Sequence, residues 1–113
     1  MDKFEYFDNF YKYLYLAKVY GLDNVYKVGV TRKYKKRIKN LLEDSPHGFE
    51  FILVFTGNAV YTKEQDMLHL FPSHKFINSF SGHTEYILID DVTFKEITSN
   101  ELEGFSRCYE WRP

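Results

Sequence analysis

"YLYLAKVYGLDNVYKVGVT", residues 13–31, is the stretch on which the fold turns. With Lys12 before it, the segment to Val19 alternates and is rich in Tyr, Leu and Val, which is a strand pattern. Residues 20–24 carry Gly21, Asp23 and Asn24, the chemistry of a turn. Residues 25–30 return to a strand pattern, so the chain is expected to fold back as a hairpin. Tyr13 and Tyr15 are two apart and share a face. Gly29 interrupts the second strand, and glycine there marks the close approach of another group.

From this hairpin the pattern runs on. Thr31 is a plausible N-cap for a helix over 32–43, with Tyr34, Ile38, Leu41 and Leu42 as its apolar stripe. Residues 44–48, "DSPHG", break it, and "FEFILVFTG", 49–57, is a continuous apolar run suited to a central strand. A second helix is expected over 59–71, ended by Pro72, and a further strand over 85–90. Residues 93–103 suit a short helix or turns, and 104–112 an edge strand or tail. The order ββαβα and then a strand predicts an α/β domain, with a small mixed, mainly antiparallel sheet flanked by helices. One domain is expected over 1–113, its motif-bearing core at 12–90 and a C-terminal extension at 91–113.

Composition narrows the class. Aromatics reach 19%, with 10 Tyr and 11 Phe, so most tyrosines are expected to be core residues with a satisfied hydroxyl. The lone cysteine, Cys108, excludes an intramolecular disulfide and suits a reducing interior. The N-terminus mixes charges among its aromatics and lacks an apolar signal core, and no run is long enough for a membrane span. The expectation is an intracellular, cytoplasmic protein. Net charge is −1, but residues 27–39 hold seven of the 15 Lys and Arg and no acid, while 85–110 are acidic. The basic region suits phosphate, or else a solvated helix face.

One carboxylate is out of place. On a helix at about 100° per residue, Tyr61, Met67, Leu68 and Phe71 share a side, and Glu64 lies in the middle of it. Arg37 borders the apolar stripe of the first helix, whereas Lys35, Lys36 and Lys39 point further out. Glu64 could be half of a structural ion pair with Arg37 or a lysine. It could instead join Arg37 and one or two hairpin tyrosines in a shallow site. A carboxylate at a buried edge can hold a divalent ion that keeps most of its waters. Metal and Arg stabilise a phosphoryl transition state, and a Tyr beside a cation can serve as base.

In this order the residues resemble the GIY-YIG nuclease superfamily, closest to its short viral and bacterial branch. The quoted hairpin looks like the paired family motifs, with Tyr15 at the tyrosine of the first and Tyr13 where glycine is often found. "YKVG", 26–29, stands for the second, closing on Gly29. Arg37 follows that glycine by eight residues, as the family's helix arginine does. Glu64 matches its single metal-binding glutamate, and "GHTEYI", 82–87, is similar to a late segment with Glu85 at its acid. The resemblance implies hydrolysis of DNA phosphodiester bonds by an endonuclease or nickase, with Mg²⁺ or Mn²⁺ on Glu64. Tyr15 or Tyr26 would be base or water-positioner, and Arg37 would bind the scissile phosphate. Lys27, Arg32, Lys33, Lys35 and Lys36 would meet flanking phosphates.

Departures from the pattern set further expectations. Tyr26 lies one residue further from its glycine than in the plain motif, so either Tyr26 or Lys27 faces the site. Leu41 stands where many members carry Tyr or His. Asn78 is the candidate for a late asparagine, and Glu85 an alternative to it. His69 falls on another face of the helix from Glu64 and is kept as a supporting residue only. A homodimer would supply two sites for two strands. The rival reading is a binding module on the same fold that has lost turnover, for a nucleotide, nucleic acid or protein partner, such as a phage interfering factor.

Overall fold

The computed structural model describes residues 2–76, 85–99 and 104–113. Its elements in chain order are α1 (Lys3–Phe10), β1 (Tyr13–Val19), β2 (Val25–Thr31), α2 (Tyr34–Asp44), β3 (Phe49–Gly57), α3 (Val60–Leu70), β4 (Tyr86–Leu88), α4 (Asp91–Ser99) and β5 (Phe105–Trp111). The hairpin forms as read. In its turn Gly21 (φ 80°) and Asn24 (φ 64°) take left-handed conformations, which glycine adopts freely and asparagine more easily than most residues.

The strands form one sheet in the order β4-β2-β1-β3-β5, antiparallel in every described pairing. The apolar run of β3 is therefore internal, flanked by β1 and β5. β5 is an edge strand of the sheet proper, not an appended tail. None of the described helices is long and apolar enough to cross a membrane.

Alternation along the strands builds two cores. On one face Tyr15, Ala17, Val19, Val25, Ile52 and Val54 pack with Ile38 and Leu41 of α2. On the other face Leu14, Leu16, Tyr26, Val28, Leu53 and Phe55 pack with Val60 and Met67 of α3, and Phe94 and Ile97 of α4 add to them. The sheet is thus buried on both sides, which explains why its middle strands read as nearly continuous apolar runs.

Three details differ from expectation. α2 begins at Tyr34, and its N-cap Lys33 has no side-chain cap; the Thr31 hydroxyl instead accepts from the Lys33 N–H at 3.1 Å, a local turn before the helix. α4 starts at Asp91 because Asp90 caps it, accepting from the Thr93 N–H at 2.8 Å. The third is α1, to which the sequence reading assigned no element. Its Asp2 caps the first turn, and its aromatics pack on α3, with Phe7 and Tyr61 ring centroids 4.8 Å apart. Asp8 of α1 also accepts from both the backbone N–H and the hydroxyl of Thr62, at 2.8 and 2.5 Å. That is the cap α3 otherwise lacks, since its own N-cap is Ala59, held at φ 61° without a side-chain bond.

Candidate active site

The register of the hairpin settles which residues face the cleft. Tyr15 opposes Gly29 and Ala17 opposes Lys27, so Tyr15, Lys27 and Gly29 share one face and Tyr26 lies on the other. Gly29 is there because the Tyr15 ring crosses it. A Cβ at this position would sit 2.2 Å from the Tyr15 hydroxyl oxygen and 2.3 Å from Cζ. Without a side chain at 29, the ring leans over β2. β4 pairs only with Val25, Tyr26 and Lys27, so the remainder of β2 has no strand on that side among the described residues. The Tyr15 hydroxyl is carried towards this uncovered half.

A cleft of about 970 Å³ lies here, and Tyr15, Gly29, Arg37, Glu64 and Glu85 all line it. Arg37 donates to the Tyr15 hydroxyl from Nε at 3.4 Å and from an Nη at 3.3 Å. Arg37 makes no ion pair among the described residues. Burial pushes the Tyr15 hydroxyl up to about 12, against the pull of Arg37. It is therefore protonated near neutral pH. Its oxygen accepts from Arg37, which leaves its proton to be donated to something else in the cleft.

Glu64 is only 7% exposed. It accepts a hydrogen bond from the neighbouring Gln65 amide, at 2.9 Å, and it makes no ion pair among the described residues. The structural pairing with Arg37 or a lysine, open in the sequence, is not formed. Burial raises its carboxyl above the usual carboxylate range; the Gln65 bond opposes this, Glu85 adds to it and Lys27 opposes it. A buried carboxylate without a bonded cation is costly, and the cost is relieved when the group takes up a proton or when a cation from outside the chain compensates it.

The other expected site residues divide. Arg32, Lys33 and Lys36 line the cleft. Lys35 does not; with Tyr13 and Tyr34 it lines a separate small hollow, where the Tyr13 and Tyr34 rings meet edge-on at 4.8 Å. Glu85 is in the cleft, but it is held by Lys27 Nζ at 2.9 Å. Lys27 is 2% exposed, with its ammonium over the Tyr86 ring. It faces the site side of the sheet but lies too deep to meet flanking phosphates, which corrects that expectation. Tyr26 is corrected as well: it stacks on Phe94 at 4.8 Å inside the opposite core and cannot reach the cleft. His69 is exposed, outside the cleft lining, with its ring Nδ1 2.7 Å from the Gln65 carbonyl. Leu41 is buried in the core under α2. Asn78 lies outside the described residues.

The cleft also holds residues that were not expected at the site. Phe10, Tyr11 and Lys12 come from the end of α1 and the link after it, Asn40 from α2, and Tyr61 and Gln65 from α3. Tyr61 and Gln65 flank Glu64 on its helix and could have been found from that spacing. Phe10 and Tyr11 could not, because nothing in the pattern foretold that α1 docks on α3.

A family model, the T5orf172 domain, matches residues 12–107. The chain belongs to the T5orf172 domain family. This is an endonuclease-associated family of GIY-YIG- or HNH-like type. No curated protein and no solved structure matches the chain. The matched span of the T5orf172 domain runs from the start of the hairpin into β5, so every side chain of the Tyr15, Arg37 and Glu64 group falls inside it, while α1 precedes it.

Proposed function

We propose that this T5orf172 domain is a metal-dependent DNA endonuclease or nickase, hydrolysing a phosphodiester bond at Tyr15, Arg37 and Glu64. The observation that carries the reading is Glu64, a buried carboxylate with no bonded cation among the described residues, opening onto a cleft that Lys12, Arg32, Lys33, Lys36 and Arg37 also line. The donor set fits a hard divalent ion. Glu64, Glu85 and the Tyr15 hydroxyl offer oxygen, and no cluster of three or more His, Cys, Asp and Glu occurs among the described residues. One carboxylate with retained waters is the arrangement Mg²⁺ or Mn²⁺ accepts. Bound there, such an ion would neutralise developing phosphoryl charge and acidify a water.

The chain's own residues supply the rest. Arg37, already fixed by the Tyr15 hydroxyl, presents its guanidinium to a phosphate oxygen and stabilises the charge that grows on it. Tyr15, held neutral by burial, donates a hydrogen bond to the attacking water or to the phosphate and so orients the attack. It acts as a positioner and not as a standing base. Lys36, Lys33 and Arg32 bind neighbouring phosphates, which fixes position without reading sequence.

The test is incubation of the purified protein with supercoiled plasmid in Mg²⁺ or Mn²⁺. Nicked or linear product is expected from the wild type, with a loss of about a hundredfold or more in Glu64→Gln and Arg37→Ala. If the wild type leaves plasmid intact across both metals and a range of salt, the enzyme reading fails. DNA binding without cleavage would then favour a binding module on this fold.

A further inference from the structure

The wall of the cleft to which α1 contributes Phe10 precedes the span of the family match. Phe10, the last residue of α1, is 39% exposed, a large aromatic ring left at the mouth. The Arg32 guanidinium lies over that ring, 4.8 Å from its centroid. Tyr6, one turn earlier, is 53% exposed and near-parallel to Phe10, at 10° and 6.2 Å. Lys12 and Lys33 line the same cleft.

α1 is not loosely placed. Asp8 ties it to the start of α3, and Phe4 and Phe7 pack on Tyr61, one turn before Glu64 on α3. The exposed ring is therefore presented at a fixed place relative to the carboxylate. An exposed ring topped by a guanidinium and bordered by lysines matches the flat face of a nucleobase with its charged backbone alongside. Base-paired DNA keeps its base faces stacked inside the helix. Only an unpaired base can lie on such a platform.

We infer that Phe10 and Arg32 form a stacking platform for an unpaired nucleobase next to the phosphate held by Arg37, so that the preferred substrate is DNA with a single-stranded segment. This rests on the endonuclease reading for the place of the scissile phosphate. The platform itself does not depend on turnover.

Binding is measured by fluorescence anisotropy with the full chain, in Ca²⁺ to suppress cleavage. The probes are a labelled single-stranded oligonucleotide, a fork with an unpaired arm, and a blunt duplex of the same sequence. The single strand and fork are expected to bind more tightly than the duplex. Phe10→Ala should weaken both by roughly tenfold or more, the worth of one stacked base, and leave duplex binding unchanged. Phe10→Trp should restore them, and Phe10→Leu, which keeps apolar bulk, should not. A 2-aminopurine base in the unpaired arm should be quenched by the wild type and not by Phe10→Ala. Equal affinity for all three probes, or equal loss on duplex and single strand in Phe10→Ala, overturns the inference. Phe10-dependent binding by a protein that never cuts would uphold the platform and sink the enzyme reading. Plasmid nicking with no Phe10 effect on any probe would do the reverse.

Discussion

Gly29→Ala tests the geometry of the Tyr15 ring directly. A Cβ at 29 would stand 2.2 Å from the Tyr15 hydroxyl oxygen, 2.3 Å from Cζ and 2.7 Å from Cε2. All three atoms belong to a rigid ring that is 2% exposed, so it cannot swing aside freely. Overpacking of this kind costs about 1–3 kcal/mol. The displaced hydroxyl also leaves Arg37 without its anchor, and a misplacement of about 1 Å can cost on the order of 100-fold in rate. Tyr15→Ala alone should cost about 3–5 kcal/mol, the range for losing a large buried aromatic. In that background the clash is gone, so adding Gly29→Ala should cost close to nothing. Urea unfolding of the four proteins, with plasmid nicking alongside, measures the coupling. Tyr15→Phe should not relieve Gly29→Ala, because Cζ and Cε2 remain. If Gly29→Ala is as stable and as active as wild type, or if the two substitutions simply add, the ring does not lie over the glycine and the account of the hairpin fails.

Other consequences follow from the same structure. Burial pushes Tyr15, Tyr26 and Tyr86 each up to about 12. Groups raised in the fold contribute stability that is present below the unfolded value, 10.0, and lost as pH rises through the folded one. Unfolding free energy should therefore fall between pH 10 and 12, with part of the phenolate absorbance appearing only together with unfolding; ionisation of all 10 tyrosines while the fold persists would contradict it. Asp8→Ala removes the side-chain cap that α1 gives α3 and should cost about 1 kcal/mol in urea unfolding; no change would show that α1 does not support that helix. Ala59→Gly should gain up to about 1 kcal/mol by relieving the left-handed conformation at φ 61°, and a loss would contradict that conformation.

Sequence and structure agree most where periodicity is strong and local. The hairpin, α2, β3 and α3 all follow from spacing and turn residues, and the carboxylate set into an apolar stripe announced Glu64. The face of each hairpin residue did not follow, because strand alternation leaves the register open until partners are known. Tyr26 and Lys27 were interchangeable in sequence, and only the pairing of Tyr15 with Gly29 separates them. Lys27 also shows why charge is a poor guide to exposure: inside a basic run it reads as a phosphate contact, yet Glu85, 58 residues away, holds it in the interior. α1 was illegible for a similar reason. A short helix is marginal in isolation, and this one forms where Phe7 and Asp8 meet α3, contacts far apart in sequence.

The central claim is that Glu64 is buried to hold a divalent ion and not to stabilise the fold. The most direct measurement is Mn²⁺ affinity by electron paramagnetic resonance, on wild type and Glu64→Gln, with a cleavage-resistant phosphorothioate oligonucleotide present and urea unfolding in chelator as a companion. Burial raises the Glu64 carboxyl, so its charge works against folding above its usual value, 4.5. Glu64→Gln is therefore expected to be at least as stable as wild type near neutral pH, while its Mn²⁺ affinity falls by tenfold or more. Unchanged Mn²⁺ binding, or a substitution that destabilises the protein, would contradict the account.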